Sequence, residues 1–261
     1  MSFVTITVAA HVATITLNRP EVRNALNPQV MQELVAAARQ ADADLQVRVI
    51  VLGGVGAHFC AGADLEWMRA SIHATPEQNR TEAAMIATMM STLNELRKPL
   101  LVRVQGAAVG AGVGLTATGD IVVAAENAQF GLAEVRLGII PAVVGPYVVS
   151  KVGVSQARRY FISGERVPAA TAQTIGLVHV VVPEAQLDAE IERLARSILT
   201  GGPEAVITAK RLAKDLGGTI PPATIATMID MIATMRITAE AQEGMGAFLE
   251  KRAPQWAKTS S

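Results

Sequence analysis

The hydrophobic positions change period along the chain, and each change marks an element. Over Val4 to Val8 and Val12 to Leu17, apolar and polar residues alternate in twos, which predicts two half-buried strands paired as a hairpin. The stretch NPQVMQELVAAARQAD then switches to helical spacing, with Asn27 as the capping residue and Pro28 at the first helical position. Val47 to Leu52, broken only by Arg48, is an apolar run rich in β-branched residues, as a strand buried on both faces requires. Leu100 to Val104 and Ile121 to Ala125 repeat that character after helical segments. In TPEQ, Thr75 as cap, Pro76 in the first turn and Gln78 closing a capping box start a long Ala/Met helix predicted to run to Arg97. Buried strands alternating with helices predict an α/β fold.

Beyond about Pro141 the strand signals thin out, and Val178 to Val182 is the last segment that reads as a strand. The remainder is helical: residues near 142 to 175, Ala185 to Leu199, Pro203 to Leu216, and about Pro222 to Lys251. Met228, Met231 and Met235 fall at helical spacing and read as core or subunit-interface packing. The punctuation GGTIPP suggests a hinge before the helical tail.

Composition narrows the classes of function. At 261 residues the chain can bury a sizeable core, and 23 Lys+Arg against 23 Asp+Glu gives no electrostatic case for nucleic acid or an anionic membrane. Aromatic residues make up only 3%, too few for a base-stacking surface. The lone Cys60 excludes an internal disulfide and reads as a small buried hydrophobe, and histidine and carboxylate spacings suggest no metal site. The first residues alternate instead of forming a leader's apolar core, and no apolar run reaches the roughly twenty residues that span a bilayer. A cytoplasmic protein is the expectation.

Two glycine-bearing turns carry the candidate chemistry. GVGLTA, within QGAAVGAGVGL (105–115), fits the dinucleotide pattern G-x-G-x-x-[GA] after a strand, with Glu134 about twenty residues on. From Gly112 to the strand at Ile121, however, there is too little chain for a crossover helix, which needs roughly ten to twelve residues. A Walker-type phosphate loop fails as well, because no Gly-Lys-Ser or Gly-Lys-Thr follows. The second turn, in GAHFCAGADLEWM, also lies between a buried strand and a helix. Small residues let backbone amides approach a ligand, and a helix N-terminus adds partial positive charge. Two such turns either aim two N–H donors at one oxygen, as an oxyanion hole does, or serve only tight helix-strand packing.

The segments LNRPEVRNAL, HFCAGADL, VQGAAVGAGVGL, GDIVVAAENAQFGLAEVRLGIIP, ARRYFISGERVPAATAQTIGLVHVVV and EGMGAFLEKR, in that order over nearly the whole chain, resemble the crotonase family of enoyl-CoA hydratases and isomerases. The resemblance implies a spiral of ββα units over residues 1–200 and a helical region over 201–261 that serves trimerisation and the coenzyme A site. A trimer or a hexamer built from two trimers is implied too. It also implies an acyl-CoA thioester substrate and no tightly bound cofactor. Position by position, the amides of Ala63 and Ala111 match the family's oxyanion donors, and Glu134 matches a catalytic glutamate. Arg23 and Ala25 match the segment that lines coenzyme A, as do Ala61, Asp64 and Leu65 around the first turn, and Phe248 and Lys251 match residues lent by the C-terminal helix. Asp64 also reads as the cap of the following helix, and Asp120 as a structural residue. Trp67, Met68, Met85 and Met89 are candidates for the acyl pocket.

One residue departs from the pattern. Typical hydratases carry a second glutamate in GGGCEL, where this chain reads GAGVGL, so Gly114 replaces it. CAGADLEWM, GVGL in place of GCEL, and AEVRLGIIPAVVGPYVV in place of a segment ending PGGGGTQRL resemble the methylglutaconyl-CoA and isohexenylglutaconyl-CoA hydratase branch. That resemblance implies hydration of a branched 2-enoyl-CoA with Glu134 as the main acid-base. Two alternatives stay open: an isomerase using Glu134 as sole base, and an acyl-CoA-binding protein without catalysis. If the acyl chain ends in a second carboxylate, Arg69, Arg136 and Arg158 are the candidate cations.

Overall fold

The computed structural model describes residues 2–217, 222–252 and 254. Strands β1 (Val4–Ala9) and β2 (Val12–Leu17) form the expected hairpin, with Ala9 opposite Val12. Next come β3 (Val49–Gly54), β4 (Leu100–Val104), β6 (Ile121–Ala125) and β9 (Val180–Val182), which extend the sheet in the order β1-β2-β3-β4-β6-β9, every pairing after the hairpin being parallel. A second sheet of three short strands, β5 (Ala107–Val109), β7 (Gln129–Gly131) and β8 (Arg166–Pro168), stands beside it in the order β5-β7-β8. Sequence periodicity missed all three, because three residues are too few to display a period.

Helices cover both faces of the large sheet, which explains the continuous apolar runs. Alternate residues of β3 face opposite ways: Ile50 and Leu52 join the main core with Met31 and Leu34 of α1 (Pro28–Ala43) and Met89, Met90 and Leu93 of α3 (Pro76–Asn94). Val49 and Val51 join Leu101, Val123 and the buried face of α7 (Leu187–Leu199). The caps lie where the sequence puts them. Asn27 accepts from the Val30 amide at 2.9 Å, and Thr75 and Gln78 form a reciprocal capping box. The α3 helix stops at Asn94 and not at Arg97, whose backbone and side chain donate instead to Asp42 of α1.

Between β3 and α3 lies the short α2 (Leu65–Ser71), and between β5 and β6 lies α4 (Ala111–Thr118). The helical stretch expected near 142 to 175 resolves into α5 (Gly145–Ser163) and α6 (Ala169–Thr174) with β8 between them. At the C-terminus follow α8 (Pro203–Gly217), α9 (Pro222–Arg236) and α10 (Ala239–Leu249). The single tail helix expected from Pro222 to Lys251 is thus two, divided where Thr238 caps α10 by accepting from the Ala241 amide. The hinge expected in GGTIPP falls largely outside the described residues. A third apolar cluster joins Ala83 and Ala87 of α3, Ile139, Ile232 of α9, and Ala241 and Met245 of α10. It packs α10 against the turn that carries Glu134 and α9 against α3. Among the described residues no helix is long and apolar enough to cross a membrane.

Candidate active site

The two glycine-bearing turns lie side by side because their strands are joined. Cys60 bridges Ala108 in parallel: its amide donates to the Ala107 carbonyl at 3.1 Å, and the Val109 amide donates to the Cys60 carbonyl at 3.0 Å. Cys60 therefore contributes its backbone. Burial pushes its thiol up to about 12, so the side chain is an inert hydrophobe, as the sequence suggests. A methyl group on Gly62 would sit 2.8 Å from the Val109 carbonyl oxygen and 3.9 Å from the Ala111 amide nitrogen, so the turns pack at a distance only glycine permits.

The peptide units around Ala63 and Ala111 are held from behind. In a planar trans peptide the C=O of one residue and the N–H of the next point in opposite directions. The Gly62 carbonyl accepts from the Leu26 amide at 2.7 Å, which turns the Ala63 N–H the other way. The Gly110 carbonyl accepts from Val113 at 2.9 Å and Gly114 at 3.2 Å, inside α4, which turns the Ala111 N–H outward from the helix N-terminus. Among the described residues nothing accepts from either amide. Both are free donors at the ends of helices whose dipoles favour negative charge.

Glu134 opens a 3-10 turn over Glu134–Leu137, and its carboxylate reaches back to the second glycine turn: a methyl on Gly110 would lie 3.3 Å from Glu134 Oε1. Gly110 itself is anchored at 2.8 Å to the carbonyl of Gly131, the end of β7. The other carboxylate oxygen, Oε2, is buried without a hydrogen-bond partner. Burial raises the Glu134 pKa to about 7, opposed only by a hydrogen bond from its own amide. A carboxyl tuned to near-neutral pH against the turn that presents the Ala111 amide has the properties of an acid-base group. The sequence alone carries no sign of that pKa, because the burial is tertiary.

The remaining candidates separate into groups. Asp64 is a cap, accepting from the Glu66 amide at 2.9 Å, and pairs with Arg19 at 2.8 Å, so its carboxylate is committed to structure. Asp120 is structural as read, accepting from the Leu100 amide and pairing with Lys210. The Arg23 carbonyl takes the Ala61 amide and the Ala25 carbonyl takes Arg19 Nη1, so what this segment presents outward is the exposed Arg23 side chain. Leu65 and Phe248 are exposed, at 53% and 47%, and Lys251 follows α10 at the surface. Trp67 and Met85 pack at the edge of the main core and Met68 at the third cluster, whereas Met89 is fully buried in the main core. Arg69, Arg136 and Arg158 are exposed, and only Arg136 shares an element with Glu134. Sequence patterns do not single out Arg236, which is buried 5.7 Å from the Trp67 ring centre and paired with Glu82 at 3.3 Å.

Gly114 is enclosed. A Cβ there would meet Val144 Cγ1 at 2.6 Å, Met90 Cε at 2.7 Å and Val144 Cβ at 2.9 Å. The place of a second carboxylate is filled with hydrocarbon, not left open to water.

The first turn yields a direct test. Gly62 has a φ of +88°, and Gly62→Ala forces both a left-handed alanine and a contact with the Val109 carbonyl. The Ala63 amide must move. Misaligning one such donor is expected to lower kcat by at least roughly tenfold, against the 10² to 10³ lost when a donor is removed outright. Steady-state kinetics on variant protein shown by circular dichroism to be folded would check this.

Comparisons with known proteins identify the family. The family model for enoyl-CoA hydratase/isomerase matches residues 7–259. The 2,3-dehydroadipyl-CoA hydratase of Escherichia coli K12 is 36% identical over 250 residues, covering 94% of each chain. Enoyl-CoA hydratase EchA19 of Mycobacterium tuberculosis is 32% identical over 253 residues, covering 94% of this chain and 93% of its own. The crystal structure of an enoyl-CoA hydratase from Mycobacterium avium superposes with a TM-score of 0.86 at 31% identity, covering 98% of this chain and 99% of its own. With the sheet order, both amide-bearing turns and the glutamate in place, the chain belongs to the enoyl-CoA hydratase/isomerase family.

Proposed function

We propose that the protein adds water to a branched 2-enoyl-CoA such as 3-methylglutaconyl-CoA, using Glu134 as its single acid-base group. The observation that carries this is the Glu134 carboxyl itself, buried, with one oxygen unpartnered and its pKa raised to about 7. The thioester oxygen is received by the Ala63 and Ala111 amides. Glu134 takes a proton from water as the oxygen bonds to carbon three, and the carbonyl electrons move onto the oxygen held by the two amides. Glu134 then returns that proton to carbon two, the thioester re-forms, and the carboxylate is regenerated. Each amide donor is worth roughly 3 kcal/mol in the transition state.

Coenzyme A enters as part of the substrate, with Arg23 and Lys251 as the cations offered to its phosphates, and no resident cofactor is needed for any step. The similar 2,3-dehydroadipyl-CoA hydratase supports hydration, and its name describes a substrate with a second carboxylate. Assembly into trimers or a hexamer through residues 201–261, and a cytoplasmic location, belong to the same reading.

The hydrocarbon around Gly114 favours a second reading, in which Glu134 moves a proton between carbons of a 3-enoyl-CoA and shifts the double bond with water excluded. The two are separated by offering the purified protein 2-enoyl-CoA and 3-enoyl-CoA substrates, 3-methylglutaconyl-CoA among them, and resolving the products by chromatography. A 3-hydroxyacyl-CoA product is expected. Double-bond shift without water addition would overturn the hydratase reading, and binding without turnover would overturn both.

A further inference from the structure

We propose that Arg19 is a positioning residue for the oxyanion hole: it latches the turn bearing the Ala63 amide to the segment 23–26 behind it. This rests on the reading of Ala63 as an oxyanion donor. The Ala63 N–H is aimed by one bond, from the Leu26 amide to the Gly62 carbonyl at 2.7 Å, and the turn is otherwise tied to this segment by Ala61 N–H to Arg23 and Asp64 N–H to Leu26, both at 2.9 Å. These are bonds between two irregular segments, neither of which belongs to the large sheet.

Arg19 spans them. Its Nη1 donates to the Ala25 carbonyl at 2.9 Å, next to Leu26, and to Asp64 Oδ2 at 2.8 Å, next to Ala63. Asp64 Oδ1 meanwhile caps α2 through the Glu66 amide. One guanidinium thus grips the residue before Leu26, the donor of the aiming bond, and the residue after Ala63, whose amide is aimed, and through Asp64 it fixes the start of α2. Its side chain is 13% exposed and that of Asp64 9%, so the pair is little weakened by solvent. The guanidinium also stacks 4.8 Å from the Phe3 ring centre, and Arg19 N–H donates to Asn24 Oδ1, which holds the base of the side chain in place.

Both bonds leave one nitrogen, Nη1, whose two N–H directions are fixed in the guanidinium plane, and a freely rotating lysine ammonium does not hold two acceptors with the same rigidity. Arg19→Gln removes the charge while leaving Asp64 in its capping position. Arg19→Lys keeps the charge and loses the planar Nη1 group that makes both bonds.

The test uses a cinnamoyl-CoA with a para-amino donor, whose absorption moves to longer wavelength as its thioester carbonyl is polarised. Wild type should show that shift on binding. Arg19→Gln should bind the thioester with a Kd within about threefold of wild type, show a smaller shift at saturation and lose at least roughly tenfold in kcat, a fraction of the loss from an absent donor. Arg19→Lys should fall between the two. A native shift and native kcat per folded molecule in Arg19→Gln would overturn the latch, as would a loss of activity that only tracks the unfolded fraction. If Arg19→Gln does not fold, Arg19→Lys decides, and wild-type shift and turnover there overturn the proposal. No shift in wild type would instead overturn the oxyanion reading of Ala63 and the latch with it, whereas a shift lost only in the Arg19 variants supports both.

Discussion

Glu134→Gln is expected to lower kcat by at least roughly two orders of magnitude, the lower end of what a positioned acid-base group supplies. The same substitution should make the protein more stable in alkaline solution. The sign follows from linkage. In the folded protein burial holds the Glu134 pKa at about 7, against an ordinary value of 4.5, so folding favours the neutral acid. Below pH 4.5 both states are protonated and the site costs nothing. As pH rises from 4.5 through 7 the unfolded chain ionises first, and stability falls until the folded carboxyl ionises too. The loss then levels off at about 3 kcal/mol, because each tenfold difference in proton affinity between the two states is worth about 1.36 kcal/mol. Glutamine has no charge to desolvate, so Glu134→Gln should match wild type near pH 4 and exceed it by a few kcal/mol at pH 8 to 9. Urea denaturation at both pH values measures this. In parallel, wild-type kcat/KM should rise with pH through about 7 and then level, because the ionised carboxylate is the form that accepts the proton of water. Wild-type-like turnover in Glu134→Gln would remove Glu134 from the chemistry, and a stability difference independent of pH would show that folding does not raise its pKa.

What the sequence exposes and what it hides divide along physical lines. Strands β2, β4 and β6 and the caps Asn27 and Thr75 are local features, written in period and in side-chain chemistry, and the structure reproduces them residue for residue. The short strands β5, β7 and β8 carry no period, yet β5 brings the two amide-bearing turns together through Cys60 and β7 anchors Gly110. The donors are legible only through family resemblance, because a backbone amide leaves no mark of its own on composition. Glu134 as an isolated letter reads as a surface carboxylate, and its pKa arises from the walls that close over it. Arg19 is invisible for the same reason: its partners Ala25 and Asp64 are six and 45 residues away. Sequence distance conceals a contact, whereas a glycine that must hold a φ of +88° at least shows as a glycine.

Gly114→Glu alone is expected to cost several kcal/mol and to add no hydratase activity. A new Cβ would meet Val144 at 2.6 Å and 2.9 Å and the end of Met90 at 2.7 Å. Met90 can swing aside, but Val144 is β-branched, buried at 4% exposure, and sits at the start of α5, so the backbone or the helix end must give. Overpacking typically costs about 1 to 3 kcal/mol, and an unpaired buried carboxylate adds to that. The segment PAVVGPYVV stands where typical hydratases of the family read PGGGGTQRL, and Val144 falls on one of those glycines. The valine and the glycine are therefore complementary: by the family resemblance typical hydratases read glutamate and glycine at these two positions, where this chain reads glycine and valine in contact. Gly114→Glu combined with Val144→Gly should recover much of the stability lost by the single variant, since the two sites are in contact and their effects are not additive. It should also raise hydration of unbranched crotonyl-CoA, because the second carboxylate then has space and a water to orient. Melting temperature and crotonyl-CoA turnover of the single and double variants form one cycle. Equal stability for the two variants would show that Val144 is not what excludes the glutamate. Recovered stability without a rise in crotonyl-CoA turnover would show that the hydrocarbon plug fills space but does not set the choice of acyl chain.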